Sequence, residues 1–175
     1  MKDRKAPQAR PTADPASETW NRLPWKKLEK HTFRIQKRIY RASQCGNVRA
    51  VHTLQKLLTK SEAARLVAVR RVTQDNQGKK TAGVDGVKSV PPKQRFDLVQ
   101  RIHPNDWKRS ASPAARRVWI PKPGKTEQRP LGIPTMFTRA QQALGKMALE
   151  PEWEARFEPN SYGRVAGWRC HHPAL

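Results

Sequence analysis

Between residues 20 and 72 the sequence reads as successive helices, each apolar on one side and cationic on the other, and this pattern constrains the fold more than any other feature. Leu28, Ile35, Ile39 and Ala42 recur at helical spacing, while Lys26, Lys30, Arg34, Lys37 and Arg41 step by four, four, three and four residues along the opposite side. Gly46 predicts the stop of this helix and Asn47 the N-cap of the next, in which Val48, Val51, Leu54, Leu57 and Leu58 face inward. The two helices then form an antiparallel hairpin. A third helix is expected from Ser61, with Thr59 and Glu62 spaced as a capping box and Ala64, Val67 and Val72 buried. Arg65, Arg70 and Arg71 are left for solvent or a ligand.

A row of cations along a helix is ordinarily a hydrated face. Here neighbouring carboxylates cannot neutralise it, because residues 20–80 hold sixteen Lys or Arg against Glu29, Glu62 and Asp75. Over the whole chain 36 cations face 14 acids, a formal charge of +22. Such an imbalance opposes compaction and favours a densely anionic partner, and nucleic acid fits because binding releases its condensed counterions. A membrane is not expected as partner. No segment approaches the roughly 20 apolar residues of a spanning helix, and none combines a broad apolar face with flanking Trp and Lys. The 175 residues suffice for one medium or two small domains, with a modest core given that 36% are hydrophobic. Residues 1–19, rich in Pro, Ala and charge, read as a disordered basic tail without a signal peptide, so a cytoplasmic (bacterial) or organellar location is expected.

Residues 116–134 read as a β-hairpin. Val118, Trp119 and Ile120 favour extended backbone, Pro123-Gly124 a turn, and Leu131 and Ile133 a second strand that Pro134 ends. Lys122, Lys125 and Arg129 crowd its tip, an arrangement suited to phosphate because Arg offers a fork and Lys a mobile point charge. A solvated edge hairpin whose lysines only discourage strand pairing is the alternative.

The remaining segments are quieter. Residues 74–86 form a turn-rich loop whose Lys79 and Lys80 could touch a nucleic-acid backbone; it lacks the glycine spacing and preceding strand of a phosphate loop. Phe96 to Ile102 suggests a short helix between prolines, anchored by Trp107. Thr135 is expected to cap a last helix that carries Phe137, Ala140, Leu144, Met147 and Ala148, is interrupted at Pro151 and closes the core over the hairpin. Glu150, Glu152, Glu154 and Glu158 should face water rather than hold metal. Cys45 and Cys170 are expected as free thiols, and Cys170-His171-His172 lacks the second ligand pair of a zinc site. The fold class is therefore α+β and mostly α-helical: an N-terminal helical hairpin region, a β-hairpin and a packing helix.

Four segments carry a resemblance: LEKHTFRIQKRIYRASQCGNVRAVHTLQKLL, RLVAVRRVTQDNQGKKTAGVDG, RRVWIPKPGKTEQRPLGIPT and ALEPEWEARFEPNSYG. In this order they resemble the N-terminal part of the group II intron reverse transcriptases, which double as maturases. The resemblance implies a helical RNA-binding region over residues 20–90 and fingers with the start of a palm over residues 91–163. The resemblance implies that the helices grip intron RNA or template, and the uncompensated cations expected to make that contact are Lys26, Lys30, Arg34, Lys37, Arg41, Arg70, Arg71, Lys79 and Lys80. Lys122, Lys125 and Arg129 would lie near the triphosphate of an incoming nucleotide. The complete enzyme needs Mg2+ held by paired aspartates. Asp3, Asp14, Asp75, Asp85, Asp97 and Asp106 include no adjacent pair, so no catalytic residue and no cofactor are expected in this fragment. Residues 164–175 diverge from the family, as a frame shift ahead of the palm would cause. The expectation is a fragment that binds RNA without polymerising; the alternatives are one half of a split enzyme completed by a palm-containing polypeptide, or a stand-alone basic maturase-like protein.

Overall fold

The computed structural model describes residues 15–107, 113–124 and 126–157, with only the backbone of Lys79. The described part is mostly helical with one antiparallel hairpin, the fold class expected. In chain order come α1 (Pro15–Arg22), α2 (Trp25–Gln44), α3 (Val48–Lys60) and α4 (Glu62–Arg70). A π-helical turn (Arg71–Asp75) and a 3-10 turn (Gln77–Lys80) lead to α5 (Pro92–Arg101) and the short α6 (Pro104–Trp107). The hairpin strands β1 (Arg116–Pro121) and β2 (Gln128–Ile133) precede α7 (Met136–Glu154).

Local chemistry sets most of these boundaries. Pro24 stands at the N-cap of α2 and separates it from α1, dividing what periodicity alone had joined. Gly46 takes φ +67°, a conformation costly for any residue with a Cβ, and lets the chain reverse after α2. Asn47 then accepts from Ala50 N at 3.0 Å, as an N-cap should. The expected capping box at Thr59 does not form. Its hydroxyl donates back to Gln55 O at 3.1 Å within α3, and Ser61 holds the N-cap of α4 without a side-chain bond. α1 opens at Pro15, so residues 15–19 are helical rather than tail, anchored by the fully buried Trp20 whose Nε1 donates to Gln74 Oε1 at 2.9 Å.

The core lies where α2, α3, α4 and α7 meet, with Ile35, Ile39, Val51, Leu58, Val67, Leu144 and Met147 at its centre. α5 adds Leu98 and Val99 against α4. Because α4 is enclosed by α2, α5 and α7, every residue from Ala64 to Val69 is buried, Arg65 included. Arg65 therefore does not reach solvent; its Nη1 donates to Val99 O at 2.7 Å. Val48 and Leu57, expected inward, are instead about half exposed, because α3 offers α2 and α7 only the stripe of Val51, Leu54 and Leu58.

α7 is not interrupted at Pro151. A proline lacks the N–H that would bond the carbonyl four residues earlier, here that of Met147, and Gln36 Nε2 donates to that carbonyl at 2.9 Å in its place. α7 packs on α2, α3 and α4 rather than over the hairpin, as had been expected. Two of its carboxylates point inward, contrary to expectation: Glu152 and Glu154 are buried, and Glu152 accepts from Gln55 Nε2 at 2.7 Å. Glu158, Cys170, His171, His172 and residues 164–175 lie outside the described residues, while Cys45 is an exposed free thiol. Among the described residues no helix is long and apolar enough to cross a membrane.

Candidate nucleic-acid interface

α2 turns its apolar stripe to the core and so directs the opposite stripe outward. Lys26, Lys30, Arg34 and Arg41 are exposed and Lys37 is half-buried, with its Nζ 5.1 Å from the centroid of the Phe33 ring. Lys27, His31 and Arg38 are exposed too and widen the ridge by a further row. Reading α2 at 100° per residue, rather than by its best-spaced cations alone, finds them. Six ion pairs occur among the described residues: Arg22–Glu18, Arg70–Glu29, Arg70–Asp75, Lys122–Glu127, Lys146–Glu150 and Arg156–Glu152. None takes a cation from the ridge.

Two open grooves flank the ridge. One, of 740 Å³, lies against the start of α4 and is lined by Lys27, Lys30, His31 and Arg34 with Ser61 and Glu62. The other, of 460 Å³, runs beside the end of α4 and is lined by Lys26, Lys30, Phe33, Val67 and Arg71 with Glu29. Both are wide and shallow enough to admit an extended ligand.

The other expected cations fare unequally. Arg70 is committed: its guanidinium lies 3.3 Å from Glu29 and 3.9 Å from Asp75 and stands 4.7 Å from the Trp25 ring centroid. Arg71 is exposed at the start of the π-helical turn, and Lys80 is exposed at the end of the 3-10 turn. The Lys79 side chain lies outside the described residues. The segment that carries both lysines is held by Arg139, which sequence reasoning did not single out. Arg139 Nη1 donates to Gly78 O and Nη2 to Thr81 O, each at 2.7 Å, while its Nε donates to Pro134 O at 2.9 Å. Gly83 completes the approach. A Cβ there would stand 2.8 Å from Thr135 Cα, so only glycine lets the loop pass beneath the start of α7. Farther round, burial lowers the pKa of the Arg95 guanidinium, which donates to Val90 O at 2.9 Å and lies 5.6 Å from the Trp20 ring centroid.

In the hairpin Ile120 pairs with Arg129 and Val118 with Leu131, and Gly124 turns at φ +70°. Alternation along the strands puts Lys122 and Arg129 on one face. Arg129 is exposed, but Lys122 Nζ is held by Glu127 at 2.7 Å, a partner from the opposite side of the turn that the charge pattern of the tip alone does not reveal. Lys125 lies outside the described residues. Asp75 belongs to the Arg70 pair, and Asp85 Oδ1 accepts from Val87 N at 3.3 Å. Among the described residues no group of three or more His, Cys, Asp or Glu comes together.

Comparison with known proteins bears on this arrangement. Residues 20–102 match the N-terminal domain of reverse transcriptase, a span covering α2 to α5 and hence the ridge and both grooves. Maturase-like protein 1 of Euglena gracilis is 35% identical over 141 residues, which cover 79% of this chain and 30% of that protein. Protein YkfC of Escherichia coli (strain K12) is 36% identical over 124 residues, covering 70% and 32% respectively. Maturase-like protein 1 of Euglena longa is 28% identical over 144 residues, covering 82% and 31%. The chain thus spans about a third of the length of these relatives. With the helical region and the hairpin following in the order the four segments require, the chain belongs to the group II intron reverse transcriptase and maturase family and corresponds to its N-terminal part.

Proposed function

We propose that this chain is an RNA-gripping part of a reverse transcriptase or maturase, holding intron RNA or template along the ridge of α2. The observation that carries the reading is the ridge itself, whose cations stay outside every ion pair among the described residues. A row of unpaired cations disfavours folding and is useful once phosphates lie along it. The exposed Arg129 extends the same chemistry to the polyphosphate of a nucleotide, with Lys122 shared between that ligand and Glu127. Polymerisation with Mg2+ falls to residues other than those described, and in this reading the purified chain binds without copying.

Salt dependence tests it. Neutralising about five phosphates of a single strand gives a slope of roughly −3.5 in log affinity against log salt, at about −0.7 per phosphate. Changing Lys30 and Arg34 together to Ala should flatten that slope by about 1.4. Salt-insensitive affinity, or RNA copying by the chain alone, would overturn the reading.

A second reading has its own observation. Leu149 and Trp153 on α7 and Phe157 just beyond its end recur every four residues and are between 40% and 50% exposed, an apolar ribbon suited to a palm-containing polypeptide. If the chain is half of a split enzyme, adding that polypeptide restores Mg2+-dependent primer extension. No synthesis from the mixture excludes this version.

A further inference from the structure

The 460 Å³ groove beside the ridge differs from the rest of the cationic surface in its lining. Lys26, Lys30 and Arg71 are exposed at its rim, Phe33 supplies a half-buried aromatic wall, and Val67 is buried beneath. Its size falls within the roughly 300–1,000 Å³ typical of small-ligand clefts. Glu29 is the one carboxylate in the lining, and its charge is answered by Arg70 at 3.3 Å. The polar side chains at the base are already engaged: Gln36 Nε2 donates to Met147 O and Thr32 Oγ1 to Leu28 O, each at 2.9 Å. The groove therefore combines a firm floor, an aromatic side and a cationic edge.

A duplex cannot use all three. An A-form helix keeps its bases paired and stacked and offers a protein mainly phosphates and 2′-hydroxyls, for which the ridge alone suffices. A single strand can turn a base out onto an aromatic side chain while its phosphates follow a basic track. Lys37 Nζ lies over the Phe33 ring, 5.1 Å from its centroid, and Lys37 is not part of the groove lining; this cation–π contact helps to fix the ring as a wall of the groove. We propose that this groove receives an unpaired base of single-stranded RNA against Phe33, with the flanking phosphates on Lys26, Lys30 and Arg71, so that the chain prefers single-stranded to duplex RNA. This deepens the RNA-binding reading above and rests on it.

The test titrates the whole purified chain against a short unstructured RNA and against the same strand in a blunt duplex, by fluorescence anisotropy at one salt concentration. The single strand should bind about tenfold more tightly, the contribution expected of one stacked base. Phe33→Leu, which keeps apolar packing and removes the ring, should cost the single strand about tenfold while leaving the duplex within about twofold. Phe33→Tyr should retain the preference, and the exposed Arg71→Ala should weaken the single strand more than the duplex. Equal affinity of the wild-type chain for both forms overturns the proposal without any variant. So does equal weakening of both forms by Phe33→Leu. Equal binding with a steep salt slope would leave the RNA-binding reading standing and remove only the groove's role. Failure to bind either form would remove both.

Discussion

The continuity of α7 through Pro151 depends on a side chain from another helix, and this can be tested by a double-mutant cycle. Pro151 cannot donate to Met147 O, so Gln36 Nε2 supplies that hydrogen bond at 2.9 Å across the α2–α7 interface, and both Gln36 and Met147 are buried. Gln36→Met keeps the length and fills the space but leaves the Met147 carbonyl without a donor away from water. That should cost about 1–3 kcal/mol, the penalty for an unsatisfied buried polar group. Pro151→Ala restores a main-chain N–H at the correct offset, so in that background the same Gln36→Met should cost only the loss of a now redundant bond, under about 1 kcal/mol. The coupling between the two changes should then be about 1–2 kcal/mol, far outside the few tenths expected of independent sites. Urea denaturation of the four proteins, followed by helical circular dichroism, measures it. Additive changes would refute the argument, because Gln36 would then stabilise α7 by packing alone.

Three further outcomes follow from the same contacts. Arg139→Ala removes three bonds to main-chain carbonyls and should lose about 2–4 kcal/mol, reduced by rehydration of the exposed Gly78 carbonyl; hydrogen exchange should quicken across residues 76–86 more than in α2. Gly83→Ala pushes a methyl to 2.8 Å from the Thr135 backbone and should cost about 1–3 kcal/mol in a urea melt, most of it by displacing the loop from α7. Asn47→Ala removes the cap from α3 and should cost about 1 kcal/mol, whereas Asn47→Asp should keep most of it.

Features that depend on a few consecutive residues could be read from the sequence, and those that depend on which surfaces meet could not. The Gly46–Asn47 junction, the Thr135 cap, which accepts from Thr138 N at 3.3 Å, and the hairpin with its turn at Gly124 are local and came through unchanged. The inward side of α3 was read too broadly, since periodicity says which residues share a face but not how wide a strip the neighbours cover. Arg65 and Glu152 were assigned to solvent because charge normally goes there. α4 is enclosed on too many sides for Arg65 to escape, and Glu152 meets Gln55 from α3. Pro151 looked like a break because its compensating donor stands 111 positions away from the carbonyl it serves. Arg139 gave no local signal, as two of its acceptors lie about 60 residues upstream. Of the candidate site, the ridge was visible because it is a property of one helix. The grooves were not, because each needs α4 as its second wall.

The distribution of charge connects fold and function. Cations within or behind the helical body find partners: Arg65 takes a carbonyl, Arg70 two carboxylates and an indole, and Arg95 a carbonyl beside Trp20. Each such partner helps to hold one element against another. Along the ridge, by contrast, Lys26–Lys30 and Lys30–Arg34 stand four residues apart with like charge, and Lys37–Arg41 repeats the spacing. Like charges at that offset oppose helix formation by a few tenths of a kcal/mol per pair, and any neutral polar residue would serve the fold better. None of the six ion pairs among the described residues offsets this cost, because none of them includes a ridge cation. A helix whose buried face carries the core can tolerate such a ridge; a marginal helix could not. Packing α2 against α3, α4 and α7 is thus what permits its outer face to carry a row of cations outside any ion pair at the expense of helix stability.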